Sequence, residues 1–174
     1  MTLRLHKVNG TATLVYAYAP TLYSTDEVKD AFYERLHLLI SKTSKQDHLI
    51  LLGDFNAWVG TDHESGTPCL GKFEIGKQNS NGLRLFELCT LHNLCVTNSF
   101  FQTKPQHNVY WRHPRSRHWH QLDLIVVKKQ HLNNVLLTRS YHSEDSDSDH
   151  FSSAVRYDSS KKGVSNPSNR RKHV

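Results

Sequence analysis

From Leu3 to Val8 apolar and polar residues alternate, Asn9-Gly10 is a favoured tight-turn pair, and Thr11 to Ala19 is β-branched and aromatic, so the chain opens with a predicted hairpin. Between Asp26 and Thr43 the positions Val28, Phe32, Leu36, Leu39 and Ile40 recur every three to four residues, which predicts an amphipathic helix with Ser24, Thr25 or Asp26 as its N-cap. His48 to Gly53 is a continuous apolar run, the pattern of a strand buried on both faces, and it stops abruptly at Asp54-Phe55-Asn56. The stretch from Thr61 to Ser80 has no periodicity and reads as a surface loop. A second helix is predicted over Asn81 to His92, with Leu85, Leu88, Cys89 and His92 on one face, and a short strand near Leu94 to Asn98. Further strands are predicted at Gln121 to Val127, Asn134 to Tyr141 and Phe151 to Tyr157, divided by a basic, aromatic loop and by an acidic turn. The pattern is α/β, with helices laid over largely antiparallel sheets.

Composition narrows the picture. A chain of 174 residues with 37% hydrophobic content supports one packed core. The expected division is one domain over residues 1–157 and a basic, disordered tail over 158–174. The net charge of +6 invites a polyanionic partner, yet +4 of it lies between Asp158 and Val174, leaving +2 for the rest. No apolar run reaches the roughly 18 residues of a membrane span, and the N-terminus lacks the apolar stretch of a secretory signal, so no membrane association and an intracellular location, nuclear or cytoplasmic, are expected. Cys69, Cys89 and Cys95 show no C-x-x-C spacing and read as reduced, mostly buried thiols.

Four separated strings put polar residues at or near the ends of apolar strands: Tyr18-Ala19-Pro20, Gly53-Asp54-Phe55-Asn56-Ala57, Leu122-Asp123-Leu124 and Ser148-Asp149-His150. Taken alone, Gly-Asp-Phe-Asn is also what a strand followed by an Asx-type turn looks like. Together the four strings supply what phosphodiester hydrolysis needs, namely groups that activate water, protonate a leaving oxygen and stabilise a charged phosphorus centre. In order, spacing and strand context the set resembles the endonuclease/exonuclease/phosphatase superfamily. Within it, Asn79-Ser80-Asn81-Gly82-Leu83-Arg84-Leu85 and the segment from Trp111 to Asp123 resemble LINE-type retrotransposon endonucleases. The resemblance covers about Leu3 to Arg156 and implies the C-terminal part of a four-layer α/β sandwich.

It also implies roles. Asp54 would be the general acid or proton-transfer group, Asn56 would orient the nucleophile or the phosphate oxygens, and Tyr18 would contact the scissile phosphate. His150 would hydrogen-bond the phosphate or assist the attacking water, with Asp123 setting its tautomer. Asp149 would lie beside a divalent cation, Mg2+ or alternatively Mn2+, since such ions take hard oxygen ligands and keep several waters. The implied partner is DNA, gripped by Arg112, Arg115 and Arg117 on phosphates and by Trp111 or Trp119 against sugar or base; a loop whose tryptophans anchor the core accounts for the same residues. The run His113, His118, His120 also admits a zinc reading, disfavoured by the arginines crowding it.

One departure weighs on the expected activity. The resemblance implies an upstream half-domain that supplies an Asn and a metal-ligating Glu, whereas Tyr18 follows 17 residues that contain no Asp and no Glu. The expectation is a Mg2+-dependent endonuclease whose turnover in this form is weak or absent, completed by a partner or by a missing N-terminal segment. The alternatives are a catalytically dead nucleic-acid-binding or protein-interaction fragment, or a phosphatase acting on a small phosphoester.

Overall fold

The computed structural model describes residues 1–7, 10–60, 69–73, 77–101, 111–112, 119–120, 123–141 and 152–160. Strands β1 (Thr2–Lys7) and β2 (Gly10–Tyr18) form the expected hairpin, and the ladder continues past β1 through Met1, which exchanges backbone hydrogen bonds with Tyr16. The last pair is Lys7↔Gly10, so Gly10, expected in the turn, belongs to the ladder, while Asn9 lies outside the described residues. Gly10 ends the ladder at φ +139°, a conformation glycine adopts freely.

Helix α1 (Asp26–Lys42) then returns the chain so that β3 (His48–Asp54) lies parallel to β2. Acidic Asp26 and Glu27 sit in its first turn and Lys42 in its last, complementing the helix dipole. Its buried face is Lys29, Tyr33, Leu36 and Ile40, while Val28, expected inside, is 51% exposed. Phe32, Leu36, Leu39 and Ile40 meet the core as expected, and Tyr33 joins them, its hydroxyl donating to the Asn81 carbonyl at 3.0 Å. Lys29 is tolerated inside because its ammonium donates to the Leu22 carbonyl at 3.0 Å and faces Asp26 at 3.8 Å.

Helix α2 (Ser80–His92) ends at Asn93, which takes the left-handed conformation and donates back to the Cys89 and Thr90 carbonyls. The edge strand β4 (Leu94–Val96) follows. A two-stranded ribbon joins β5 (Trp111–Arg112) to β6 (Trp119–His120), β7 (Asp123–Lys128) enters the central sheet, and β8 (Val135–Tyr141) pairs antiparallel with β9 (Ser152–Tyr157).

The central sheet has the order β1-β2-β3-β7-β4, with β2-β3 parallel and its other pairings antiparallel. Alternate residues serve opposite faces. Val15, Ala17, Leu49, Leu51, Leu124 and Val126 pack with Tyr33, Leu36, Ile40, Leu85 and Leu88 of the two helices. On the other face Ile50, Ile125 and Val127 meet Val135, Leu132, Val155 and Tyr157, which places β8 and β9 as a further layer. Full burial of side chains such as Leu49, Leu51 and Phe55 contributes roughly 1.5–3 kcal/mol each. The three thiols are free and buried, and burial pushes Cys95 up to about 12 and Cys89 well above its ordinary value, so both stay protonated.

Among the described residues no helix is long and apolar enough to cross a membrane. The last described segment is tied down, with the Asp158 N–H donating to the Asn134 carbonyl at 2.8 Å. The expected disordered tail lies, from Lys161 onward, outside the described residues.

Candidate active site

The strand register assembles the site. Tyr18, last in β2, pairs with Asp54, last in β3, and Asp54 pairs with Asp123, first in β7. Directly paired residues of neighbouring strands project from the same face, so three of the candidate residues form one row across the end of the sheet. Tyr18 is 60% exposed, whereas Asp54 and Asp123 are half-buried. The row therefore offers a phenol and two carboxylates at the margin between core and water.

Asn56 stands two residues beyond the row, and its position follows from the Gly-Asp-Phe-Asn string residue by residue. Gly53 is held at φ +135° against β2, where an added Cβ would sit 2.0 Å from the Ala17 carbonyl oxygen. Asp54 Oδ1 accepts from the Asn56 N–H at 2.8 Å, so the Asx-type turn is real and coexists with the row. Phe55 is fully buried and anchors the turn. Asn56 adopts φ +46°, tolerated by asparagine better than by most residues, and its amide donates to the Ala19 carbonyl at 3.0 Å, while the Ala19 N–H donates to the Asp54 carbonyl at 2.8 Å. The loops after β2 and β3 are thereby locked to each other.

A second group of asparagines holds this turn. Asn79 caps α2 by accepting from the Gly82 N–H at 2.7 Å, accepts from the Trp58 N–H at 3.2 Å, and donates to the Asn56 carbonyl at 3.1 Å. Asn81, fully buried, donates to the Pro20 carbonyl at 2.8 Å and to the Asn56 carbonyl at 3.3 Å. Gly82 lets the helix approach, since a Cβ there would meet the Trp58 carbonyl oxygen at 1.8 Å. Tyr33 completes the group: burial raises its phenol above the ordinary value and keeps it a neutral donor. On the far side Asn98 brackets β7, accepting from the Ile125 N–H at 2.8 Å and donating to the Asp123 carbonyl at 3.4 Å.

Sequence reasoning named Asn79, Asn81 and Gly82 only as words of a family motif and missed Asn98. The available signal was Asn-x-Asn-Gly directly before a helical pattern, an N-cap followed by a close-approach glycine. Trp111, Arg112 and Trp119 lie on the β5-β6 ribbon, with Arg112 paired to Trp119 and Trp111 to His120. Arg115, Arg117, Asp149 and His150 lie outside the described residues. Among the described residues no three His, Cys, Asp or Glu side chains converge as a metal-binding group. The two carboxylates of the row are nevertheless hard oxygen donors of the kind Mg2+ takes one or two of while retaining water.

No family model matches the chain. It is 36% identical over 139 residues to craniofacial development protein 2 of Bos taurus and 34% identical over 139 residues to that of Tragulus javanicus, 79% of this chain in each case. It spans only 23% and 24% of the length of those relatives. Among solved structures, the endonuclease domain of TRAS1, a telomere-specific non-LTR retrotransposon, superposes with a TM-score of 0.58 at 16% identity, covering 90% of this chain and 62% of that one. The 3'-5' exonuclease NExo from Neisseria meningitidis gives 0.58 at 17% identity, covering 90% and 64%, and so does a 3' phosphatase NExo from Neisseria bound to a product DNA hairpin. The chain is thus a homologue of craniofacial development protein 2 over most of its length, with the mixed α/β, mainly antiparallel fold of endonuclease/exonuclease/phosphatase proteins.

Proposed function

We propose that this chain carries the phosphate-facing edge of a Mg2+-dependent phosphodiester hydrolase acting on DNA as an endonuclease. The observation that supports the reading is the single row Tyr18, Asp54, Asp123 at one end of the sheet, with Asn56 braced beside it. In this reading Tyr18 touches the scissile phosphate, Asp54 moves the proton of the leaving oxygen, and Asn56 orients the phosphate oxygens or the nucleophile. Asp123 holds His150 in the tautomer that meets the phosphate or the attacking water. Asp149, with the carboxylates of the row, would hold Mg2+ or Mn2+, whose contribution when bound is charge neutralisation and water activation. Trp111, Arg112, Arg115, Arg117 and Trp119 would follow the DNA backbone.

A second reading, a nucleic-acid-binding or protein-interaction module without turnover, is favoured by one fact of the sequence: Lys161, Lys162, Arg170, Arg171 and Lys172 follow the domain as a basic segment. Supercoiled plasmid with Mg2+ separates the two. Nicking that Asp54→Ala abolishes supports the hydrolase, whereas salt-dependent DNA binding with no nicking above that control supports the module. No DNA affinity at low salt would sink the nucleic-acid part of both, and turnover of a soluble phosphoester but not of plasmid would move the substrate to a small molecule.

A further inference from the structure

Away from the sheet end, the two helices carry a feature that the hydrolase reading leaves unused. His37, in the second half of α1, and His92, the last residue of α2, face each other across the helix pair. Nδ1 of His37 lies 2.9 Å from Nε2 of His92, with ring centroids 4.9 Å apart and ring planes tilted by 47°. Two imidazole nitrogens bound cis at right angles to one metal ion, each at about 2.0–2.1 Å, stand roughly 2.8–3.0 Å apart. The observed separation falls within that span. We propose that His37 and His92 form a two-imidazole site for a divalent transition-metal ion with right-angled cis coordination, Cu2+ or Ni2+, which cross-links α1 to α2.

Three features of the surroundings favour a site over an incidental contact. The helix pair is also joined at its other end, where Arg84 meets Asp30 at 2.7 Å and Asp26 at 3.2 Å and Tyr33 reaches the Asn81 carbonyl at 3.0 Å. Both rings are half-buried, so neither is sealed from water. His92 also lies at the C-terminal, electronegative end of α2, where a cation is stabilised. In the metal-free pair one ring donates its N–H to the other. Binding moves that proton to the outer nitrogen of the same ring, a change of tautomer with no net proton release.

The test uses the full chain titrated with CuCl2, and with NiCl2 as a second probe, at neutral pH. One tight equivalent of Cu2+ is expected, with an electron paramagnetic resonance spectrum showing two coupled nitrogens and a rise in Tm. His37→Gln, His92→Gln and His92→Ala should each weaken that equivalent by about tenfold or more and reduce the coupled nitrogens to one or none. Unchanged affinity and unchanged nitrogen coupling in the folded variants would overturn the site. If the variants do not fold, Ni2+ broadening of ring NMR signals in the unmodified chain decides instead. Early loss of the His37 and His92 resonances supports the site, and broadening confined to other histidines overturns it.

Discussion

Strands β3 and β7 run from one polar cluster to another, and the two clusters handle polarity differently. At the end where β3 stops, Asp54 and Asp123 stay half-buried and asparagine amides brace the turns around them through backbone carbonyls. At the end where β3 starts, His48 stacks on His131 with centroids 4.1 Å apart, and its Nδ1 meets the Tyr157 hydroxyl at 2.6 Å. Burial there pushes His131 down to about 4 and raises Tyr157, so both rings are held neutral. Lys128 closes that end, its ammonium donating to the Ser44, Lys45 and Asp47 carbonyls. The lesson is that a dense polar cluster is not by itself a site. One end keeps carboxylates beside water, where charge and ligand can be accommodated; the other uses neutral rings to fasten β9 beneath β3.

The sharpest way to break the contrast is Gly53→Ala. Its methyl group would lie 2.0 Å from the Ala17 carbonyl oxygen at a positive φ, so β2 and β3 must separate at the row itself. The expected destabilisation is about 4 kcal/mol or more, read from urea unfolding, and a loss under about 1 kcal/mol would mean that the close approach is not needed.

At the opposite end acid should act selectively. His131 has a folded-state value near 4, below its ordinary 6.5, so its contribution is complete above pH 6.5 and is lost as pH falls toward 4. The loss expected across that window is on the order of 2–3 kcal/mol. Unfolding curves at stepped pH should show this slope in the unmodified chain and a flatter one in His131→Phe; equal slopes would assign the acid sensitivity elsewhere.

Asn79→Ala removes the α2 cap and a donor to the Asn56 carbonyl together, and should cost about 2 kcal/mol. Asn79→Asp, which keeps the acceptor and loses the donor, should fall between the two in denaturant midpoint. The smallest effect is expected from Arg84→Ala. Its partners Asp26 and Asp30 are 71% and 64% exposed, so the ion pairs contribute less than about 1 kcal/mol, and 1 M salt should remove most of the difference in Tm.

Much of this architecture was readable in advance where one local signal dominated. The continuous apolar run before Asp54 announced β3, and leucines at helical spacing announced α2, because burial on both faces or on one stripe writes its period directly into the chain. Two single positions, Gly10 in the opening hairpin and Val28 in α1, depart from what their local chemistry predicts. Gly10 carries turn chemistry but ends a ladder, and Val28 is apolar but half exposed, since strand register and helix packing outweigh local preference.

The order of residues alone determined which side chains were available for chemistry and that each stood at or near a strand end, since strand-forming runs and polar stops are local properties. That Tyr18, Asp54 and Asp123 share one row was decided only by tertiary structure, because register depends on how strands more than 30 residues apart align. The same holds for His37 and His92, separated by 55 positions in the chain and joined only when two amphipathic helices settle side by side on one face of a sheet.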